Sequence, residues 1–172
     1  MRIPLVEYDN ASDEVKKLWD DHEKDHIITN MKRTLLNEPD CFKVLMEWYP
    51  LRDKVAEFAG EFGVNIFAHA ISTENDCLIC STFFRKILKD CGKNPDDLEL
   101  KGRDALLAEY GRACVKQPIK VSDELYARMK EEFTDEQIII LTTFAGMMIA
   151  TNLINHALEV DLDDYLTLYT KK

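Results

Sequence analysis

Apolar residues recur three and four positions apart along nearly the whole chain, and no stretch alternates apolar and polar long enough to predict a strand. The pattern predicts an all-α, single-domain protein over residues 1–172. Ser12 caps a first helix with Val15, Leu18 and Trp19 on one face. Asn30 starts a short helix through Leu35 and Leu36. Pro39 opens another with Phe42, Leu45, Met46 and Tyr49, and Pro50 predicts a kink or a break. Apolar residues continue at Leu51, Val55, Phe58 and Ala59. Gly60 and Gly63 flank the start of a helix carrying Val64, Phe67, Ala68 and Ile71, which ends near Ser72. The next runs from about Asp76 to Cys91 and closes at Gly92.

Asn94-Pro95 reads as a cap followed by a first-turn proline. A helix from about Arg103 to Val115 stops before Gln117-Pro118, and Ser122 caps one through Phe133. Thr134 and Gln137 have capping-box spacing and open the longest helix, Asp135 to about Glu159. It is apolar on most sides, which predicts burial on nearly all of them, as a central helix or at a subunit interface.

Composition narrows the function. Among 172 residues, 46% are hydrophobic and 31% charged, as in an ordinary globular domain. The net charge of −10, with no long basic run, argues against nucleic acid as a partner. Residues 1–7 lack an apolar signal core, and the apolar run Ile138 to Ile154 is interrupted by threonines and an asparagine and falls short of a bilayer span. The expectation is a cytoplasmic protein without a membrane partner. There, Cys41, Cys77, Cys80, Cys91 and Cys114 are free, metal-bound or catalytic in preference to structural disulfides.

The chemistry-bearing motif is Cys77-Leu78-Ile79-Cys80, at a predicted helix start. Residues three apart share a helix face, so the two sulfurs can meet. The unpaired N–H groups and positive end of the helix favour thiolate, the form that attacks peroxides and disulfides. Zinc needs four ligands, and one such pair supplies two, so no metal and no cofactor are expected. Phe67, Phe83, Phe84, Trp48 and Tyr49 are core, or the walls of an apolar pocket beside the thiols. His22 and His26 lie in a charge run that reads as a solvated face.

Two blocks, Phe67-Ala68-His69-Ala70 through Cys80 and Phe133 through Val160, resemble the carboxymuconolactone decarboxylase-like, or alkylhydroperoxidase D-like, superfamily. Ile3-Pro4-Leu5-Val6 and Leu35-Leu36-Asn37-Glu38-Pro39 are similar to its opening. The resemblance implies an alkylhydroperoxidase D-like helical bundle that assembles as a homo-oligomer: dimer, trimer or hexamer. It implies that Cys80 attacks a peroxide and Cys77 resolves. The peroxidase branch relays protons through a glutamate and two histidines, and the matching positions here hold Asn65, Ile79 and Phe84. Glu61 and His69 are the nearby replacements in sequence.

The expected catalytic set is therefore Cys77, Cys80, His69 and Glu61. The expected function is an enzyme, a thiol-dependent peroxidase or disulfide oxidoreductase with an atypical proton relay. Its partners are a small peroxide or other small organic substrate and a thiol/disulfide reductant protein. One alternative is a decarboxylase-type enzyme on a small lactone or carboxylate, with Arg85, His69 or His156 binding the acid. The other is a non-catalytic helical oligomer.

Overall fold

Side-chain caps at Ser12, Thr29, Ser122 and Thr134 each accept the backbone N–H three residues on, and each starts a helix. The computed structural model describes residues 1–171 and has eight α-helices, with no strand among those residues. They are α1 (Asp13–Glu23), α2 (Asn30–Leu35), α3 (Pro39–Met46), α4 (Trp48–Glu74), α5 (Leu78–Asp90), α6 (Gly102–Val115), α7 (Asp123–Glu132) and α8 (Asp135–Ala157). Short 3-10 turns occupy Tyr8–Asn10 and Asp164–Tyr169. The capping box is complete: Thr134 Oγ1 accepts from Gln137 N at 3.2 Å and Thr134 N donates to Gln137 Oε1 at 3.0 Å.

The breaks differ from the sequence expectation in three places. Glu47 closes α3 and opens α4, so Pro50 falls in the first turn of α4, where its missing N–H costs no helical bond. The interruption expected at Gly60 and Gly63 is made by Gly60 alone, at φ 75° and ψ 165°, a conformation essentially confined to glycine. Asn94-Pro95 starts no helix. Asn94 Oδ1 accepts from Asp96 N at 3.3 Å, a local turn that satisfies the backbone without one.

The core lies where α4, α5, α6 and α8 meet, around Phe67, Ile71, Leu107, Leu141 and Phe144, none with measurable exposure. Gly111 lets α6 approach α4 closely: a Cβ there would lie 3.0 Å from Phe67 Cδ2. A smaller cluster of Val15, Leu35, Leu36 and Phe42 fixes the N-terminal helices. The C-terminal segment is tied to it through Asp163 Oδ1, which accepts from Asn30 N at 2.8 Å.

One expectation about α8 is corrected. Its 23 residues have a mean hydropathy of 1.7 over their most apolar stretch, enough by length and composition to cross a bilayer. Its buried Ile138, Leu141, Phe144, Met148 and Asn155 instead face the fold, as in a core helix. Burial covers one face only. Ile139 and Leu153 are 65% and 62% exposed, with Thr143 and Gly146 exposed between them.

Candidate functional site

The two cysteines sit at the corner between α4 and α5. Asp76, at φ 51°, makes the turn, and Cys77 N donates to Ser72 O at 3.0 Å, closing the end of α4. Cys77 is then the N-cap residue of α5 and Cys80 lies in its first turn. Both thiols are free and buried. Asn155 of α8 donates its amide to both, at 3.2 Å to Cys80 Sγ and 3.8 Å to Cys77 Sγ.

The surroundings split the pair. The Cys80 S–H bond pulls Cys77 down to about 6, and the Cys80 backbone N–H, the Asn155 amide and the charge of His156 act in the same direction against the burial. Cys80 is pushed up by the same S–H bond and by burial. The pair therefore gives up its first proton readily and its second reluctantly, with Cys77 the more acidic sulfur.

Access favours the other cysteine. Cys77 has no exposed surface, whereas Cys80 lines a cavity of about 90 Å³. The cavity exceeds what one water needs and has room for a small organic molecule. Of the aromatic residues expected beside the thiols, Trp48, Tyr49, Phe83 and Phe84 line it. Phe67 does not; it packs in the core against Tyr110 and Phe144. Ile79 and Phe84, two of the three positions of the family's relay, are apolar cavity wall.

Glu61 and His69 are not brought to the thiols. Glu61 is exposed and pairs with Arg52 in a separate open cleft that Asn65 also lines. His69 is half-buried, and burial with the neighbouring charges of Arg85 and Arg112 lowers it to about 4, so it is neutral at pH 7. Neither hydrogen-bonds to a cysteine sulfur, whose side-chain amide partner is Asn155 alone among the described residues. The histidine whose charge reaches Cys77 is His156, with its Nε2 3.1 Å from the carbonyl oxygen of Asp76.

Sequence reasoning missed Asn155. Its one signal was an amide on the apolar run of α8, three residues after Asn152, with both side chains now buried. Of the candidates for binding a carboxylate, Arg85 is held bidentately by Asp96, with one contact at 2.7 Å. No group of three or more potential metal ligands occurs among the described residues.

Eight helices with a dithiol at the α4–α5 corner define an alkylhydroperoxidase D-like fold. The chain is similar to the crystal structure of an alkylhydroperoxidase AhpD core protein from Ralstonia eutropha JMP134, described as an uncharacterized peroxidase-related protein. The TM-score is 0.74 at 17% sequence identity, covering 97% of this chain and 94% of that one. No family model and no curated protein matches the sequence.

Proposed function

We propose that the chain is a thiol-dependent peroxidase or disulfide oxidoreductase acting through Cys77 and Cys80. The observation that carries this reading is a pair of free thiols reached by one amide, that of Asn155, with Cys80 opening onto a cavity and Cys77 the more acidic sulfur behind it. Cys77, the more acidic sulfur and bound by the same amide as Cys80, is the group that would serve as general base for the Cys80 thiol. The missing relay is thereby replaced by the second sulfur rather than by His69 or Glu61.

For a hydroperoxide the step balances as follows. The Cys80 proton passes to Cys77 Sγ as Cys80 Sγ attacks the terminal peroxide oxygen. The S–O bond forms, the O–O bond breaks, and an alkoxide leaves and takes a proton from water. Cys77 then attacks the Cys80 sulfenic acid, forming the disulfide and releasing water. The two thiols have lost two electrons and the peroxide has gained them. An external dithiol, small or protein-borne, restores the pair by thiol–disulfide exchange.

The test is mass spectrometry of the native protein after treatment with one equivalent of an organic hydroperoxide. The expected product has lost two hydrogens, mapped to a peptide linking Cys77 and Cys80 and restored by a dithiol. Retention of both free thiols sinks the proposal. The same reading places a second copy of the chain on the open apolar face of α8 around Ile139 and Leu153. Light scattering on the purified protein is expected to show an oligomer, and Leu153→Glu to reduce it to monomer.

A further inference from the structure

The redox reading uses the α5 and α8 sides of the Cys80 cavity and leaves the rest of its wall unassigned. Within that remainder, α2 and the C-terminal segment bring Lys32, Asp163 and Tyr165 to the cavity beside the apolar Met31 and Leu166. Lys32 is 5% exposed, an unusual position for a lysine. Its ammonium donates to Ile27 O and, at 2.8 Å, to the hydroxyl of Tyr49. An ammonium has three hydrogens, and these two acceptors leave one over.

Asp163 is 8% exposed. Its Oδ1 is held by Asn30 N, while its Oδ2 is buried with no partner. The Tyr165 hydroxyl is likewise buried and unpartnered. All three side chains line the cavity that Cys80 lines. Buried polar atoms are almost always satisfied, so two orphans and a spare ammonium hydrogen in one small cavity point to a ligand.

The donor set selects its chemistry. Lys32 and Asp163 each favour the other's charged form while burial opposes both, so the cluster pairs a cation with an anion and has no excess positive charge to hold an anion. It offers one strong acceptor, Asp163 Oδ2, beside the spare N–H of Lys32 and the Tyr165 O–H. An alcohol or hydroperoxide O–H group matches this: its hydrogen goes to the carboxylate and its oxygen accepts from the ammonium. A carboxylate would meet Lys32 favourably and Asp163 with repulsion. A hydrocarbon would fill the cavity and leave the orphans unpaired.

We propose that Lys32, Asp163 and Tyr165 form the recognition site for the O–H group of a small neutral organic molecule held in the Cys80 cavity. The inference deepens the redox reading by naming its substrate class, and rests on it only for the reaction, not for the binding.

Binding is therefore measured without oxidant, by fluorescence of Trp48, which lines the cavity, in a Trp19→Phe background. The probes are benzyl alcohol, benzoate and toluene, of similar size. Benzyl alcohol is expected to bind about tenfold more tightly than either, the effect of about one good hydrogen bond to a charged group. Asp163→Asn and Lys32→Met are expected to abolish that preference while toluene binding persists, which shows the cavity intact. Tyr165→Phe, which removes only a hydroxyl, is expected to narrow it if either of those fails to fold. Equal affinity for the three probes, preference for benzoate, no binding at all, or a preference that survives the substitutions overturns the assignment. If the preference holds and the thiols prove inert to peroxide, the redox reading alone is lost.

Discussion

Cys77 and Cys114 are both buried, both free and both packed in the same core, yet their acidities lie far apart. Cys77 is lowered from 9.0 to about 6, and Cys114 is raised from 9.0 to about 11. Burial acts upward on each, and at Cys114 it wins, with only the Tyr110 hydroxyl opposing it. At Cys77 three donors outweigh it. Position explains one of those donors: Cys77 caps the start of α5, where N–H groups point outward, and the Cys80 N–H is among them. The others are the neighbouring Cys80 thiol and the Asn155 amide from α8, so a buried cysteine is inert or acidic according to the donors that reach its sulfur.

The largest test of that contrast is on turnover. Cys80→Ser is expected to lower peroxide consumption ~100-fold or more, because the attacking sulfur is gone, while Cys114→Ser leaves it at the wild-type rate. Peroxide-consumption assays on the two variants check this, and equal losses would erase the distinction.

Stability against pH comes next, with opposite signs for the two cysteines. Between pH 6 and 9.0 an unfolded Cys77 keeps its proton and the folded one has lost it, so its contribution rises with pH and disappears below about 6. Between pH 9.0 and 11 a folded Cys114 keeps the proton that the unfolded one loses, so stability falls as pH rises. The slopes are up to ~1.4 kcal/mol per pH unit each. Urea unfolding across these two windows is expected to lose the first slope in Cys77→Ser and to show a shallower second slope in Cys114→Ser, since Cys80, also pushed up, contributes there with the same sign.

A smaller effect belongs to the donor from α8. Asn155→Leu removes one hydrogen bond to the anion and is expected to raise the Cys77 titration midpoint by about one unit, read from ultraviolet thiolate absorbance. An unmoved midpoint removes Asn155 from the account. Least of all, His69→Gln and Glu61→Gln are expected to change turnover by less than about threefold, since neither contacts a thiol. A loss of ~100-fold in either, in the range of general acid–base catalysis, restores it as the relay.

The helices were legible because their signals are local: Ser12, Ser122 and the Thr134–Gln137 box each fix a start from within four residues. Cys77 and Cys80 were legible for the same reason. What was not legible depends on distant chain segments. Asn155 is 75 positions beyond Cys80, and only the packing of α8 on the α4–α5 corner brings them together. Lys32 lies on a six-residue helix whose burial follows from the C-terminal segment closing over it through Asp163 and Asn30. Nearness in sequence is all that links Glu61 and His69 to the thiols. The break at Gly60 and the pairing of Glu61 with Arg52 leave Glu61 in another cleft, and the face of α4 that carries His69 lies toward Arg85 and Arg112.

The amide of Asn155 has a consequence for redox poise. It serves two sulfurs that carry a negative charge between them, and a disulfide sulfur is a neutral, poor acceptor. Oxidation would therefore strand a buried N–H donor at a cost of about 1–3 kcal/mol. For a two-electron couple, where about 30 mV corresponds to about 1.4 kcal/mol, the potential rises by roughly 20–60 mV. The acidity of Cys77 adds to this in the same direction, because it stabilises the reduced form. A helix that ends far from the cysteines in sequence thus favours the reduced pair over any disulfide formed between them.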